Sequence, residues 1–231
     1  MNTDSAKLPN GNVLLKPRFQ NDKIKLKSGG ELYIDTAFLD MEHTDIIADV
    51  IKVPDVAYAY DLEMRKKPVP IEIKPGDVVY CYYLAIHNAL KRVSDGRRII
   101  ENGEIYLLIN YVDNLYMALR DDFPIMVNDY VLIEPTYREL KEMQEKAKKQ
   151  GIEVPGSAIS HYQENTQWGI VRYAGRNLSP ETFKDEDQIV GKEVFMRKHA
   201  DIPLEYEYHR TFEPEKKLFR VRRRDILVVL D

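Results

Sequence analysis

The residues best suited to chemistry are few and scattered. Five histidines (His43, His87, His161, His199 and His209) show no Cys/His ligand spacing, and none stands in an HExxH helix. Cys81 sits in the run VVYCYY, the setting of a core thiol more than of an activated nucleophile. Asp121 and Asp122 are adjacent carboxylates, but an acid–base pair is defined by separation in space, which adjacency does not supply. The chain holds no glycine-rich phosphate loop, nucleophile elbow or dinucleotide fingerprint. FRVRRRD (219–225) alternates, which predicts Phe219 and Val221 facing inward and Arg220 and Arg222 facing solvent. Fifteen tyrosines lie within β-like runs and suit half-buried sheet positions better than a base-stacking platform. These patterns predict no enzyme, no cofactor and no metal site.

Bulk properties narrow the partner. Of the 231 residues, 44% are hydrophobic and 31% charged, enough for a core under a well-solvated surface. A formal charge of −4 gives no general reason to bind nucleic acid. The lone cysteine excludes an intrachain disulfide framework and suits a reducing compartment. No apolar run approaches the ~20 residues of a membrane span, and MNTDSAKLPNGN lacks a secretory apolar core. The expectation is a cytoplasmic protein with no membrane partner.

The elements that would position a binding surface are short strands between turns. VNDYVLIEP (127–135) echoes NGNVLLKP (10–17): a polar turn, an apolar strand, a charge, a proline. After the first copy come DIIADVIKV (45–53), IEIKPGDVVYCYY (71–83) with a turn at Pro75, Gly76 and Asp77, GEIYLLINY (103–111) and NLYMALR (114–120). After the second come QWGIVRYAG (167–175), QIVGKEVFMR (188–197), KLFRVRR (217–223) and DILVVL (225–230). Pro17 then matches Pro135, Val50 matches Ile170, Gly76 matches Gly191 and Leu119 matches Leu230. This order predicts an all-β chain of two tandem domains, 10–121 and 122–231, whose loops have changed length while strands held.

One stretch breaks the β pattern. TYRELKEMQEKAKKQG (136–151) predicts a helix near 137–150, capped by Thr136 with Glu139 closing a capping box and Gly151 at its end. Tyr137, Leu140, Met143 and Ala147 form one apolar stripe, and Lys146, Lys148 and Lys149 suit the dipole's negative end. The stripe is expected to lie on its own domain. Ala85, Ile86, Ala89 and Leu90 suggest a second, shorter helix.

The repeated unit resembles the GroES family of co-chaperonins. GNVLLKPRF leads into KLKSGGELYIDT (25–36), which resembles the family's mobile loop, where Gly-Gly precedes a short apolar triplet. ADVIKVP resembles the strand after that loop, IEIKPGDVVY the turn-bearing strand, and NLYMALR the closing strand, which in the second half begins DIL at Asp225, Ile226 and Leu227. QGIEVPGSAISHYQENTQWGIV (150–171) resembles loop, triplet and following strand together. The resemblance implies two GroES-like irregular β-barrels, as in double-domain co-chaperonins, joined edge to edge in a homo-oligomeric ring. Such a ring lids an ATP-bound chaperonin and assists folding without a cofactor.

Residue by residue, the resemblance assigns chaperonin docking to Gly29 and Gly30 ahead of Leu32, Tyr33 and Ile34, and to Gly151 ahead of Ile152 and Val154. The chain departs from the pattern at Glu31 and Glu153, because a lone carboxylate is costly to bury in an apolar groove. The alternative expectation is a structural or assembly protein, such as a virion component, that reuses the barrel without binding a chaperonin.

Overall fold

A computed structural model describes residues 7–8, 11–18, 23–25, 31–33, 47–60, 64–91, 97–159, 166–175, 189–198, 202–203 and 216–230. For 23–25, 31–33, 202–203, Tyr83, His87, Leu90 and Lys91 the description is of the backbone alone. The described chain divides into two compact units, one up to Asn128 and one from Asp129.

The first unit contains β1 (Asn12–Pro17), β2 (Lys23–Lys25), β3 (Glu31–Tyr33), β4 (Ile47–Lys52), β5 (Ala57–Tyr60), β6 (Lys66–Val69), β7 (Val78–Cys81), α1 (Tyr83–Lys91), β8 (Arg98–Glu101), β9 (Glu104–Asn110), α2 (Tyr111–Asn114), β10 (Leu115–Arg120) and β11 (Phe123–Met126). Seven strands form one sheet in the order β11-β10-β7-β4-β1-β9-β8, while β2·β3 and β5·β6 are separate pairs. The second unit contains β12 (Tyr130–Pro135), α3 (Arg138–Lys149), β13 (Trp168–Ala174), β14 (Glu193–Met196), β15 (Ile202–Pro203), β16 (Phe219–Arg222) and β17 (Ile226–Val229). Its six strands run β15-β16-β12-β13-β14-β17. The chain is all-β with a few helices, as its strand periodicity predicts.

The two sheets share one strand order. β8-β9-β1-β4-β7-β10 and β15-β16-β12-β13-β14-β17 each place the fourth, fifth, first, second, third and sixth strands side by side. The register agrees too. Leu15, Lys16 and Pro17 face Val50, Asp49 and Ala48, as Ile133, Glu134 and Pro135 face Val171, Ile170 and Gly169. A register shift follows Leu14 in one sheet and Leu132 in the other. Val50 thus corresponds to Val171, one residue on from the Ile170 expected from sequence: counted from the paired prolines, Val50 faces Leu15 and Val171 faces Ile133, while Ile170 shares the place of Asp49.

Backbone bonds repeat with the register. Gly76 N–H donates to Val50 O and Val50 N–H to Asp77 O; Gly191 N–H donates to Val171 O and Val171 N–H to Lys192 O. Both glycines need positive φ, +92° and +85°, to make the turn before the third strand. The prolines are tolerated for one reason. β9 pairs with β1 only as far as Leu15, and β16 with β12 only as far as Ile133, so the missing proline N–H points where no partner strand remains.

The cores correspond position for position: Val13, Leu15, Val50, Val79, Cys81, Leu107, Ile109 and Leu115 are buried in one unit, and Val131, Ile133, Val171, Val194, Met196, Phe219, Val221 and Ile226 in the other. Cys81 is therefore a core residue standing where the second unit has Met196. α1 packs Ala85, Ile86 and Ala89 inward, the short helix expected there.

Three expectations need correction. The sheets are open: β11, β8, β15 and β17 each pair on one side only among the described residues, so neither sheet closes into the expected barrel. Arg220 does not face solvent. It is 2% exposed, with its guanidinium 5.5 Å from the Tyr130 ring centroid, because both faces of β16 are covered. Finally, Thr136 does not cap α3. Its Oγ1 donates to Glu193 Oε1 at 2.9 Å, and the helix starts after Tyr137, whose φ of 51° turns the chain with no side-chain cap. The stripe is otherwise as expected, with Leu140 buried and Met143 and Ala147 half-buried.

Candidate docking arms and sheet edges

In each unit one long connection joins the first and second sheet strands, β1 to β4 and β12 to β13. Both connections are pinned at the base by the same backbone bond: Arg18 N–H donates to Ile47 O and Thr136 N–H to Trp168 O, at 3.0 and 3.1 Å. The side chains that brace the two bases differ. Arg18 forks onto Asp49 Oδ1 at 3.0 and 2.7 Å. In the second unit Arg138 lies 4.9 Å from the Trp168 ring centroid and 3.4 Å from Glu193.

The first connection carries the β2·β3 pair, in which Ile24 faces Leu32 and Lys23 faces Tyr33. Among the described residues, Leu32 and Tyr33 therefore lie on a strand that pairs with β2 and not with the seven-stranded sheet. Gly29, Gly30 and Ile34 lie outside the described residues. The second connection carries α3 and its stop. Gly151, at φ +68°, donates its N–H to Lys148 O at 3.2 Å, and Ile152 N–H donates to Ala147 O at 2.9 Å. Those two bonds make a Schellman ending, which requires the left-handed residue that glycine supplies. Ile152 is 59% exposed, Val154 is half-buried and Glu153 points to solvent.

Of the other residues singled out from sequence, Asp121 (φ 51°) and Asp122 (φ 64°) form the two-residue turn of the β10·β11 hairpin, where Arg120 faces Phe123. They are exposed turn residues. Asn102 and Gly103 make the same kind of turn between β8 and β9; that Asn-Gly pair is a legible hairpin signal the sequence reading passed over. Four histidines lie outside the described residues, and His87 has only its backbone described. Among the described residues no cluster of His, Cys, Asp and Glu could hold a metal ion, and no helix is long and apolar enough to cross a membrane.

Buried polar groups hold the first unit's edge in place. Asp77, 1% exposed, accepts from Lys74 N–H at 2.8 Å and from Arg120 Nε and Nη2 at 2.9 and 2.7 Å, while Arg120 Nη2 also donates to Glu72 O. The Tyr111 hydroxyl donates to Glu72 Oε2 at 2.6 Å, and Asn128 Nδ2 donates to Tyr111 O and Leu115 O at 3.1 Å. These bonds fix both ends of the β10·β11 hairpin to β7 and α2. In the second unit Arg222 pairs with Asp129 at 3.1 Å and lies 4.4 Å from the Tyr130 ring centroid. Burial pushes the Tyr130 phenol above its ordinary range, while Arg222 and Arg220 pull the other way.

The outer edges differ in a way that sequence reading did not anticipate. β10 is covered by β11, whereas β17, its counterpart, ends its sheet among the described residues, with Leu227 52% and Val228 44% exposed. Neither a scan against protein-family models nor a search of curated proteins finds a match to the chain.

Proposed function

We propose that the chain is a lid-type co-chaperonin of two fused units, acting as a homo-oligomer in the cytoplasm on an ATP-bound chaperonin ring, with no catalytic chemistry or cofactor of its own. What carries the reading is the common strand order of the two sheets, with a long arm leaving the same strand at the same proline in each. A lid needs several identical weak contacts presented at fixed spacing, because effective concentration multiplies them once the first arm has docked. Leu32, Tyr33 and Ile34 are the first unit's docking triplet, and Ile152 and Val154 serve the second.

One observation favours a second reading, that of a structural or assembly protein without a chaperonin. Gly151 and Ile152 are engaged in ending α3, a role that explains both without a partner. The two readings separate by experiment. Particle images and co-sedimentation of the full chain with a chaperonin should show association in the presence of ATP and not in its absence. Deleting 28–36 should abolish it while both units remain folded. Stable self-assembly with no chaperonin association under any nucleotide condition would establish the second reading instead.

A further inference from the structure

The β8 edge of the first sheet is built to accept another strand. β8 pairs with β9 on one side, and among the described residues no strand pairs with the other. The edge strands β11 and β15 each carry a proline, Pro124 and Pro203, which removes a ladder donor. β8 has no proline, no lysine and no register shift, and Ile100 on it is 61% exposed. β15 holds the equivalent place in the second unit and spans two residues, so this longer edge belongs to the first unit alone.

The hairpin fixes which backbone groups that edge presents. Glu101 faces Glu104 across the two-residue Asn102–Gly103 turn, and Arg97 O accepts from Leu108 N–H at 2.7 Å. Ladder bonds alternate along an antiparallel strand, so residues 97, 99 and 101 turn their backbone groups toward β9. Arg98 and Ile100 turn theirs outward, and a partner strand must bond through these two. The side chains add a pattern of sign: Arg97 and Arg98 precede the two isoleucines, and Glu101 follows them. Charge on an exposed edge usually keeps a copy away. Here, a copy running the opposite way brings opposite charge to each end.

We infer that β8 of a second copy adds antiparallel to β8, about a two-fold axis at Ile99. In that register Arg98 and Ile100 of one copy bond through their backbones to Ile100 and Arg98 of the other. Ile99 faces Ile99, and Glu101 faces Arg97 on both sides of the axis. A shift of one residue would set outward backbone groups against inward ones. A shift of two puts either Glu101 against Ile99 or Arg98 against Arg98, so one register satisfies both backbone and charge. The contact is isologous: it joins two copies and leaves no further β8 edge. So short a strand buries less than a standard interface, and the dimer is accordingly reversible. The inference concerns the first unit alone and holds whether or not a chaperonin is the partner.

Cysteine cross-linking of the full chain, read on a denaturing non-reducing gel, tests this register. Ile99→Cys should oxidise to a disulfide dimer, since Cα atoms of a facing, non-hydrogen-bonded pair stand about 4.5 Å apart. Ile100→Cys should cross-link about fivefold more slowly or less, because its own copy is a diagonal neighbour about 7–8 Å away. Random collision predicts the opposite order, Ile100 being the more exposed of the two, and that order would overturn the inference. Cys81, the native thiol, is buried and stays out of the reaction. In the Ile99→Cys background, Arg97→Glu sets like charges in both facing pairs and should slow cross-linking about tenfold or more. Adding Glu101→Arg restores opposite charge across the axis and should restore the rate. Residues 97 and 101 lie about 13 Å apart along one strand, too far to pair within a copy, so the rescue reports on the second chain. Failure of the double reversal to restore cross-linking, in protein with unchanged circular dichroism, would also overturn it. Should Ile99→Cys disturb folding, sedimentation of Arg97→Glu and of its double reversal makes the same comparison without the thiol: association lost, then regained.

Discussion

Gly169 offers a sharp test of the register that underlies these conclusions. It faces Pro135 in the β12·β13 pair, at the centre of the second sheet. A Cβ at this position would run into Ile133 Cγ2 and stand 2.6 Å from Glu134 O and 3.2 Å from Glu134 C, where ordinary contacts begin at 3.4 Å. The isoleucine methyl can swing aside for about 0.5–1.5 kcal/mol. The carbonyl belongs to the strand backbone and cannot move without the sheet, and overpacking of that kind costs about 1–3 kcal/mol. Gly169→Ala should therefore cost about 3 kcal/mol, which for a unit of about 100 residues lowers Tm by roughly 12–24 °C.

The repeat supplies the control. Ala48 occupies the equivalent place, facing Pro17, and is fully buried with its Cβ accommodated. Ala48→Gly should cost about 1–2 kcal/mol, from backbone freedom and one lost methyl. Scanning calorimetry of the full chain, with amide exchange assigning each transition, should show the two substitutions acting on different units. A Gly169→Ala shift smaller than that of Ala48→Gly would refute the contact geometry, and with it the one-to-one alignment of the sheets.

Three further outcomes follow from the described geometry. Asp77→Ala removes three accepted hydrogen bonds and leaves Arg120 beside an empty buried site, so the first unit should lose about 3 kcal/mol in urea unfolding, at the low end for a buried pair because Arg120 is partly exposed. Gly151→Ala meets no neighbouring atom and should cost about 1 kcal/mol from its positive φ alone, read as earlier melting of the second unit. Tyr130 has a raised phenol pKa in the folded state, so its contribution is complete below the unfolded value of about 10 and is lost as pH climbs from there through the folded value. The second unit's urea midpoint should fall over that alkaline range, and Tyr130→Phe should flatten the fall.

Much of this architecture is written in local pattern. Ten strands coincide with alternating apolar runs, and Pro75-Gly76 marks its turn, because pleat period and turn dihedrals are set by neighbouring residues. The stripe Leu140, Met143 and Ala147 is legible for the same reason. β11 was hidden because Phe-Pro-Ile-Met is short and contains a proline, a poor strand signal until the Asp121–Asp122 turn folds it against β10. The cap expected at Thr136 is not legible from local pattern, because its hydroxyl is drawn to Glu193, far away in sequence, and the positive φ of Tyr137 takes over the turn.

By itself the sequence determined that strands recur in one order in both halves, that a helix follows the second Lys/Glu-Pro motif, and which residues are apolar enough for a core. Tertiary structure alone decided the register, since the shifts after Leu14 and Leu132 arise from pairing with β4 and β13 and leave no mark on either strand's own pattern. It also decided the burial of Arg220, which depends on Tyr130 lying across it. The open edge at β17 belongs to that class as well: Leu227 and Val228 have the composition of covered residues, and whether a strand lies beside them is a property of neighbours distant in the chain.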